Sequence, residues 1–228
     1  MIFKILNLDI NETLRQYAEL LAECVSVRLT GTRDADEIFN THIQDGIEAL
    51  KFLPQNSNAQ VIDVGSGGGL PGIVWAVCRP DLNIILLDSI GKKCRASQEI
   101  IEKLNLNNIK VICSRSEDFA KLKSNRERFD LACARAVADA GVTAELLSPL
   151  VKVQGSLLTF KGAKLEQELE QVNHKWRCLG LSEPEINYYG GDNSSKSILI
   201  WRKISKCPKI FPRKPGDASN KFWWTLKF

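Results

Sequence analysis

The sequence predicts an α/β protein, a mostly parallel sheet covered by helices on both faces and preceded by a helical extension. Three observations predict it. After residue 60, short apolar runs alternate with longer amphipathic ones, the rhythm of parallel strands joined by crossover helices. A glycine-rich turn, Gly65 to Gly72, follows the first of those runs, where a strand must pass into a helix. The last two apolar runs are joined by turn residues and no helix, the finish of an antiparallel pair.

The elements follow in order. Residues 11–27 read as an amphipathic helix, with Leu14, Tyr17, Ala18, Leu21 and Val25 three or four apart and Asn11 as its cap. Residues 34–53 read as a second, with Ile38, His42, Ile43, Ile47 and Leu50 along one side and acids at its positive end. Strands are expected at Val61–Val64, Ile84–Leu87, Ile109–Cys113, Phe129–Ala134 and Ser156–Phe160, with helices near 71–78, 91–105, 116–123 and 139–150. Ile186–Tyr189 and Ser197–Arg202 close the sheet around Gly190-Gly191-Asp192-Asn193. The divisions are a helical extension over 1–55, the α/β domain over 56–205 and a basic tail over 206–228.

Composition narrows the function classes. Among the 228 residues, 44% are hydrophobic and 25% charged, ordinary values for a soluble domain. No apolar run approaches the ~20 residues of a membrane helix, and the first residues carry no secretory pattern. The expectation is a cytoplasmic protein, away from membranes. Seven cysteines, with no CxxC pair among them, predict reduced core thiols and neither disulfides nor a metal site; Cys113 and Cys133 lie in apolar runs. The net charge of +4 is unevenly spread. Residues 196–228 hold nine Lys or Arg and one acid, a net +8, and the remainder carries −4. Such a tail is either a phosphate-binding surface or a solvated end.

The strongest motif is Val61-Ile62-Asp63-Val64-Gly65-Ser66-Gly67-Gly68-Gly69-Leu70-Pro71-Gly72. Five glycines within eight residues point to a ligand approaching the backbone. Gly67-x-Gly69-x-x-Gly72, with Asp88 twenty-one residues after Gly67, formally matches a dinucleotide fingerprint, so an NAD-binding oxidoreductase is one reading. The other takes Asp63-x-Gly65-x-Gly67-x-Gly69 as the unit, which resembles the first motif of class I methyltransferases. It is preferred, because an acid stands two residues before the first glycine and because Gly65 and Ser66 separate Gly67 from the strand. Asp88, ending the second strand, suits two ribose hydroxyls. Ser116 and Glu117 follow the third strand, where this fold meets adenine.

These residues, with Leu87-Asp88-Ser89-Ile90-Gly91-Lys92-Lys93, Ser114-Arg115-Ser116-Glu117-Asp118, Ala134-Arg135-Ala136-Val137-Ala138, Phe160-Lys161-Gly162 and Phe211-Pro212-Arg213-Lys214-Pro215-Gly216, resemble the family that methylates a guanine N7 in 16S ribosomal RNA, also called glucose-inhibited division protein B. His42-Ile43 and Asp45 echo it near the N-terminus. Arg28 stands where the family has Asn, Gly46 where it has Ser, and the tail is longer. The resemblance implies a Rossmann-like class I fold of seven strands with the last antiparallel, and S-adenosyl-L-methionine as cofactor. It implies 16S ribosomal RNA or a small-subunit particle as partner, and a monomer without metal. It places cofactor contacts at Gly65, Leu70, Ser116, Glu117 and Arg135; the motif itself adds Asp63, Gly67, Gly69 and Asp88.

The chemistry expected is in-line transfer to an unprotonated nitrogen, which needs no general base. The Asn/Asp-Pro-Pro-aromatic motif of exocyclic-amine methylation is absent, and Cys133 lacks the proline neighbour of a C5-methylation nucleophile. Arg135 and Lys161 end the fourth and fifth strands, so both are expected over the ligand crevice, Arg135 on a carboxylate or the guanine and Lys161 on a phosphate. His42 is expected to pack the N-terminal helix, and His174 to lie on a helix surface. Trp223 and Trp224 either stack on bases or plug the sheet, and the plug is preferred. Because the cofactor loops precede residue 136, removal of the tail is expected to spare cofactor binding. A small-molecule methyltransferase, which would have no use for the basic tail, remains the other alternative.

Overall fold

The computed structural model describes residues 8–191 and 194–226. Its centre is a seven-stranded sheet ordered β3-β2-β1-β4-β5-β7-β6. The strands are β1 Gln60–Val64, β2 Asn83–Asp88, β3 Ile109–Cys113, β4 Phe129–Arg135, β5 Val151–Lys161, β6 Glu185–Tyr188 and β7 Ser197–Arg202. The first five run parallel, and β7 is antiparallel to β5 and β6. The chain order reverses at β1, which lies between β2 and β4, and ligands bind such folds at the carboxyl ends of the strands beside that point.

Two cores sandwich the sheet, because alternate residues of a strand face opposite ways. Val61, Leu86, Leu131 and Leu158 face one core, which α1 (Leu8–Glu23), α4 (Gly72–Cys78) and α5 (Gly91–Lys103) complete. Ile62, Leu87, Ala132 and Leu157 face the other, under α7 (Ala140–Leu147) and the C-terminal segment. The N-terminal extension and the C-terminus thus lie on opposite faces.

The first helix spans Leu8–Glu23, so Asn11 lies inside it and Val25, expected in its apolar stripe, is exposed beyond its end. The second expected helix is a chain of short pieces. Asp34 caps α2 (Ala35–Glu37), accepting the Glu37 N–H at 2.9 Å. A π turn over Ile38–Ile43, α3 (Gln44–Glu48) and a 3₁₀ turn over Ala49–Phe52 follow. β5 begins five residues earlier than expected. Its register against β4 slips between Phe129 and Leu131, and the exposed Lys152-Val153-Gln154 occupy the irregular stretch. His174 does not lie on a helix: it follows α8 (Leu165–Val172) in a left-handed turn, paired with Glu183. Of the expected final turn, Asp192 and Asn193 lie outside the described residues.

The C-terminal segment is built into the second core. Phe211, Trp223 and Trp224 are buried with Trp176 and Trp201, and the Trp223 Nε1–H donates to Gly141 O at 2.8 Å. A buried indole removes enough apolar surface for roughly 4–6 kcal/mol, an upper value. Of the basic residues counted in the tail, Lys203 is fully buried on Ser148 O and Val151 O, and Arg213 grips the buried Glu145. Trp223 and Trp224 are therefore the plug. Cys113 corrects the expectation of a core thiol: β3 is an edge strand and leaves it exposed, whereas Cys133 in the sheet centre is buried.

Among the described residues no helix is long and apolar enough to cross a membrane, and no cluster of His, Cys, Asp and Glu is gathered as a metal site.

Candidate active site

Two cavities open at the carboxyl ends of the strands. The first, about 210 Å³, lies between β1, β2 and the start of α6 (Ser116–Lys121), and Gly65, Asp88, Ser116 and Glu117 line it. The second, about 430 Å³, lies over the ends of β4 and β5 and is lined by Arg135, Lys161, Asp45, Glu168, Tyr189 and Lys196 among others. Val137 and Ala138 belong to both linings, so one short loop separates them.

The glycine turn is held from several sides. The N–H groups of Gly65 and Ser66 reach Leu87 O at 2.7 and 3.2 Å. Tyr17 donates to Gly68 O, Ser97 to Gly67 O, and the Gly67 N–H donates to Asp88 Oδ2 at 2.9 Å. Gly65 has φ +69°, and a Cβ there would lie 2.6 Å from Val137 Cγ2, so no other residue fits without movement. Gly72 lets α4 approach the sheet, since its Cβ would meet Leu86 at 2.3 Å. Gly67, Gly69 and Leu70 shape the turn without lining the first cavity.

The two acids of the motif differ in kind. Asp63 is fully buried and points beneath the loop, accepting the Gly72 N–H at 3.0 Å. Burial lifts its pKa to about 6, against the pull of the Gly72 N–H, the Cys133 thiol and Arg135. Asp88 faces the cavity wall. Each of its oxygens accepts one backbone N–H, from Gly67 and from Ile90, and each keeps a further acceptor position. Glu117 accepts the Gly216 N–H at 3.3 Å, and Gly216 and Ser219 complete the lining.

At the second cavity a charge cluster joins segments far apart in sequence. Arg135 Nη2 donates to Asp45 Oδ2 at 2.9 Å and meets His42 Nδ1 at 2.7 Å. Asp45 Oδ1 accepts from the Tyr189 hydroxyl at 3.0 Å and from Lys196 Nζ at 2.9 Å. Burial, then Arg135, lowers the His42 pKa, so its ring is neutral near pH 7. Burial, then Asp45, raises that of the Tyr189 phenol. Asp45, Tyr189 and Lys196 were not singled out as site residues from the sequence; Asp45 was visible only through the family resemblance. His42 touches Arg135 from behind the lining residues and is not itself among them.

The family model described as "rRNA small subunit methyltransferase G" matches residues 10–197, most of the chain and all of these site segments except the Gly216 turn. The chain belongs to that family. The methyltransferase G of Clostridium perfringens strain 13 is 37% identical over 221 residues, covering 94% of this chain and 91% of that protein. That of Carboxydothermus hydrogenoformans is 32% identical, covering 89% and 86%. Among solved structures, M. jannaschii TYW2 in complex with AdoMet aligns with TM-score 0.55 at 16% identity, over 72% of this chain and 76% of that one. An rRNA methylase from Streptococcus thermophilus aligns with TM-score 0.52 at 12% identity, over 71% and 95%. The fold is the class I methyltransferase fold with N-terminal helices, as expected from the motifs.

S-adenosyl-L-methionine is the cofactor of this chain, and the residues present fit it: Gly65 brings backbone without a side chain to the cavity lining, and Asp88 keeps acceptor positions on its wall. The Gly67 N–H, which a dinucleotide's pyrophosphate would need, is already donated to Asp88. Two of the departures from the family, Gly46 and Arg28, have a local fit. A Cβ at position 46 would lie 3.0 Å from the Val74 Cβ, and Arg28 binds the carbonyls of Thr30 and Gly31.

Two expectations are corrected here. Lys161 is no free phosphate ligand: its side chain is 6% exposed, paired with Glu168 at 2.8 Å and donating to Ala138 O at 2.7 Å. The C-terminal segment is not a detachable tail, because Gly216 and Ser219 line the first cavity.

Proposed function

We propose that this protein transfers a methyl group from S-adenosyl-L-methionine to a guanine N7 of 16S ribosomal RNA, in the cytoplasm. One observation carries the reading of the nucleophile. Every acid lining the second cavity is already engaged: Asp45 by Arg135, Lys196 and Tyr189, and Glu168 by Lys161 and the Ala140 N–H. None stands ready to take a proton. Guanine N7 offers an in-plane lone pair and has no proton to lose, so the site need only align nucleophile, methyl carbon and leaving sulfur.

The cofactor, when bound, supplies an electrophilic methyl carbon on a sulfonium. Asp88 accepts the ribose hydroxyls, and Ser116 and Glu117 frame the adenine. Asp63 orients the glycine turn from below through Gly72 and does not touch the cofactor. Arg135, its Nη2 fixed by Asp45 and His42, turns its remaining N–H donors to the methionine carboxylate or to the guanine O6. With His42 neutral, Arg135 and Lys196 outweigh Asp45 by one positive charge, which favours an RNA strand over the cavity.

The test incubates the protein and labelled S-adenosylmethionine with ribosomal RNA and with small-subunit particles from a strain lacking this methylation, then maps the label. A label at a guanine that becomes sensitive to strand scission at 7-methylguanosine is the expected result. A label on an exocyclic amine or a ribose overturns the N7 reading. Transfer to particles alone, or to naked RNA alone, identifies the substrate form.

A further inference from the structure

We propose that Lys161 and Glu168 are positioning residues that hold the Ala136-Val137-Ala138 loop as the wall between the cofactor and acceptor cavities. The loop departs from β4 through Ala136, whose φ of +54° is a left-handed conformation unfavourable for an L residue. Something outside the loop must fix it there. Lys161 Nζ donates to Ala138 O at 2.7 Å, and Thr143 Oγ1 donates to the same oxygen at 3.1 Å. Glu168 Oε2 accepts the Ala140 N–H at 2.7 Å and pairs with Lys161 at 2.8 Å. Both side chains are mostly buried, so each ion is compensated chiefly by the other. The pair thereby ties the end of β5 and the first turns of α8 to the chain just after Val137, at Ala138 and Ala140.

Val137 is the consequence. Its Cγ2 occupies the space that Gly65 leaves by lacking a Cβ, and it lines both cavities. A methyl passing from one cavity to the other crosses this wall, so the wall's position sets the approach of the reacting atoms. Displacement by about an ångström can slow a reaction roughly 100-fold. Lys161 thus acts through Ala138 and Val137 and does not bind RNA.

The inference rests on the methyl-transfer reading, and its test keeps the two apart by measuring cofactor affinity without RNA. Calorimetry with S-adenosylmethionine, turnover on RNA, and RNA affinity across a salt series are compared for Lys161→Met, Glu168→Gln, the double variant and Lys161→Arg. Expected for Lys161→Met are weaker cofactor binding, kcat lower by roughly 10–100-fold, an unchanged KM for RNA and an unchanged salt slope. Lys161→Arg recovers part of kcat, and the double variant loses less than the product of the singles. Should Lys161→Met fail to fold, Glu168→Gln decides: cofactor affinity reduced several-fold supports the clamp, and wild-type affinity overturns it. Wild-type cofactor affinity in Lys161→Met with a salt slope reduced by about 0.9 makes Lys161 a phosphate ligand and overturns the proposal. A wild-type protein that binds the cofactor but methylates no RNA contradicts the functional reading and leaves the cofactor-affinity arm of this test intact.

Discussion

The first and second cavities share one wall and are assembled in opposite ways. The first is largely made of contiguous segments at strand ends, Gly65 after β1, Asp88 ending β2, Ser116 and Glu117 after β3, and backbone N–H groups fix its acids. The second is made of side chains from segments far apart in sequence: Asp45 holds Arg135, Tyr189 and Lys196, and Glu168 holds Lys161. A cavity of turns depends on backbone conformation and tolerates little change at its glycines. A cavity of ion pairs depends on each partner being present.

The largest effect expected is that of truncation after Arg202, which separates the two cavities only if the C-terminus is a detachable tail. It removes Lys203, Phe211, Trp223 and Trp224 from the core and Gly216 and Ser219 from the lining of the first cavity. Loss of even one buried tryptophan side chain costs about 3–5 kcal/mol, against a total stability of about 5–15 kcal/mol. Thermal melting should show an unfolded or barely folded chain. A cooperative melt near wild type, with cofactor binding retained, would restore the independent tail.

Next is Gly65→Val, aimed at the cavity of turns alone. A branched side chain at φ +69°, placed against Val137, cannot coexist with a bound methionine moiety. Cofactor binding should vanish from calorimetry of the folded variant while its RNA affinity persists. Unchanged cofactor affinity would remove this turn from the site.

Smaller still is the effect at Asp63, which supports the turn from inside. Its folded pKa of about 6 stands above the ordinary 3.8, so the folded state holds the proton more tightly. Its contribution to stability is therefore fully present below pH 4 and is lost as pH rises through 6. The gap of about two pH units amounts to about 3 kcal/mol. Asp63→Asn keeps an acceptor for the Gly72 N–H without the charge. Denaturant melts between pH 4 and 8 should lose this component, and an unaltered pH profile would show that Asp63 ionises normally.

The same contrast explains what the sequence made legible. Strands β1 to β4 and the glycine turn were readable because their signals are local: apolar runs of strand length, then glycines and an acid at fixed spacing. The positions of Asp88 and Ser116 followed from the strand order. Arg135 and Lys161 were correctly placed at strand ends, but their partners were not foreseeable, since Asp45 lies 90 residues from Arg135 and 151 from Lys196. Long-range pairing of this kind leaves no periodic trace, so Lys161 read as a free cation. The N-terminal extension misled for a related reason. Its apolar spacing suits one regular helix, yet the chain makes a π turn over Ile38–Ile43, containing His42, which regular periodicity does not mark. The basic tail read as surface because charge was counted without the buried acid Glu145, which receives Arg213.

The division into a cofactor side and an acceptor side is tested most directly by measuring both affinities in Asp88→Ala and Asp45→Ala. Titration of each folded variant with S-adenosylmethionine, and separately with ribosomal RNA, gives four numbers to set against wild type. Asp88→Ala should weaken the cofactor by about 1.5–3 kcal/mol, roughly 10–150-fold, and leave RNA affinity within a factor of about two. Asp45→Ala frees Arg135, Lys196 and Tyr189 from their common partner. It should change RNA binding and turnover far more than cofactor affinity. A crossed pattern of this kind is what the two cavities predict; equal losses of both ligands in both variants would contradict it.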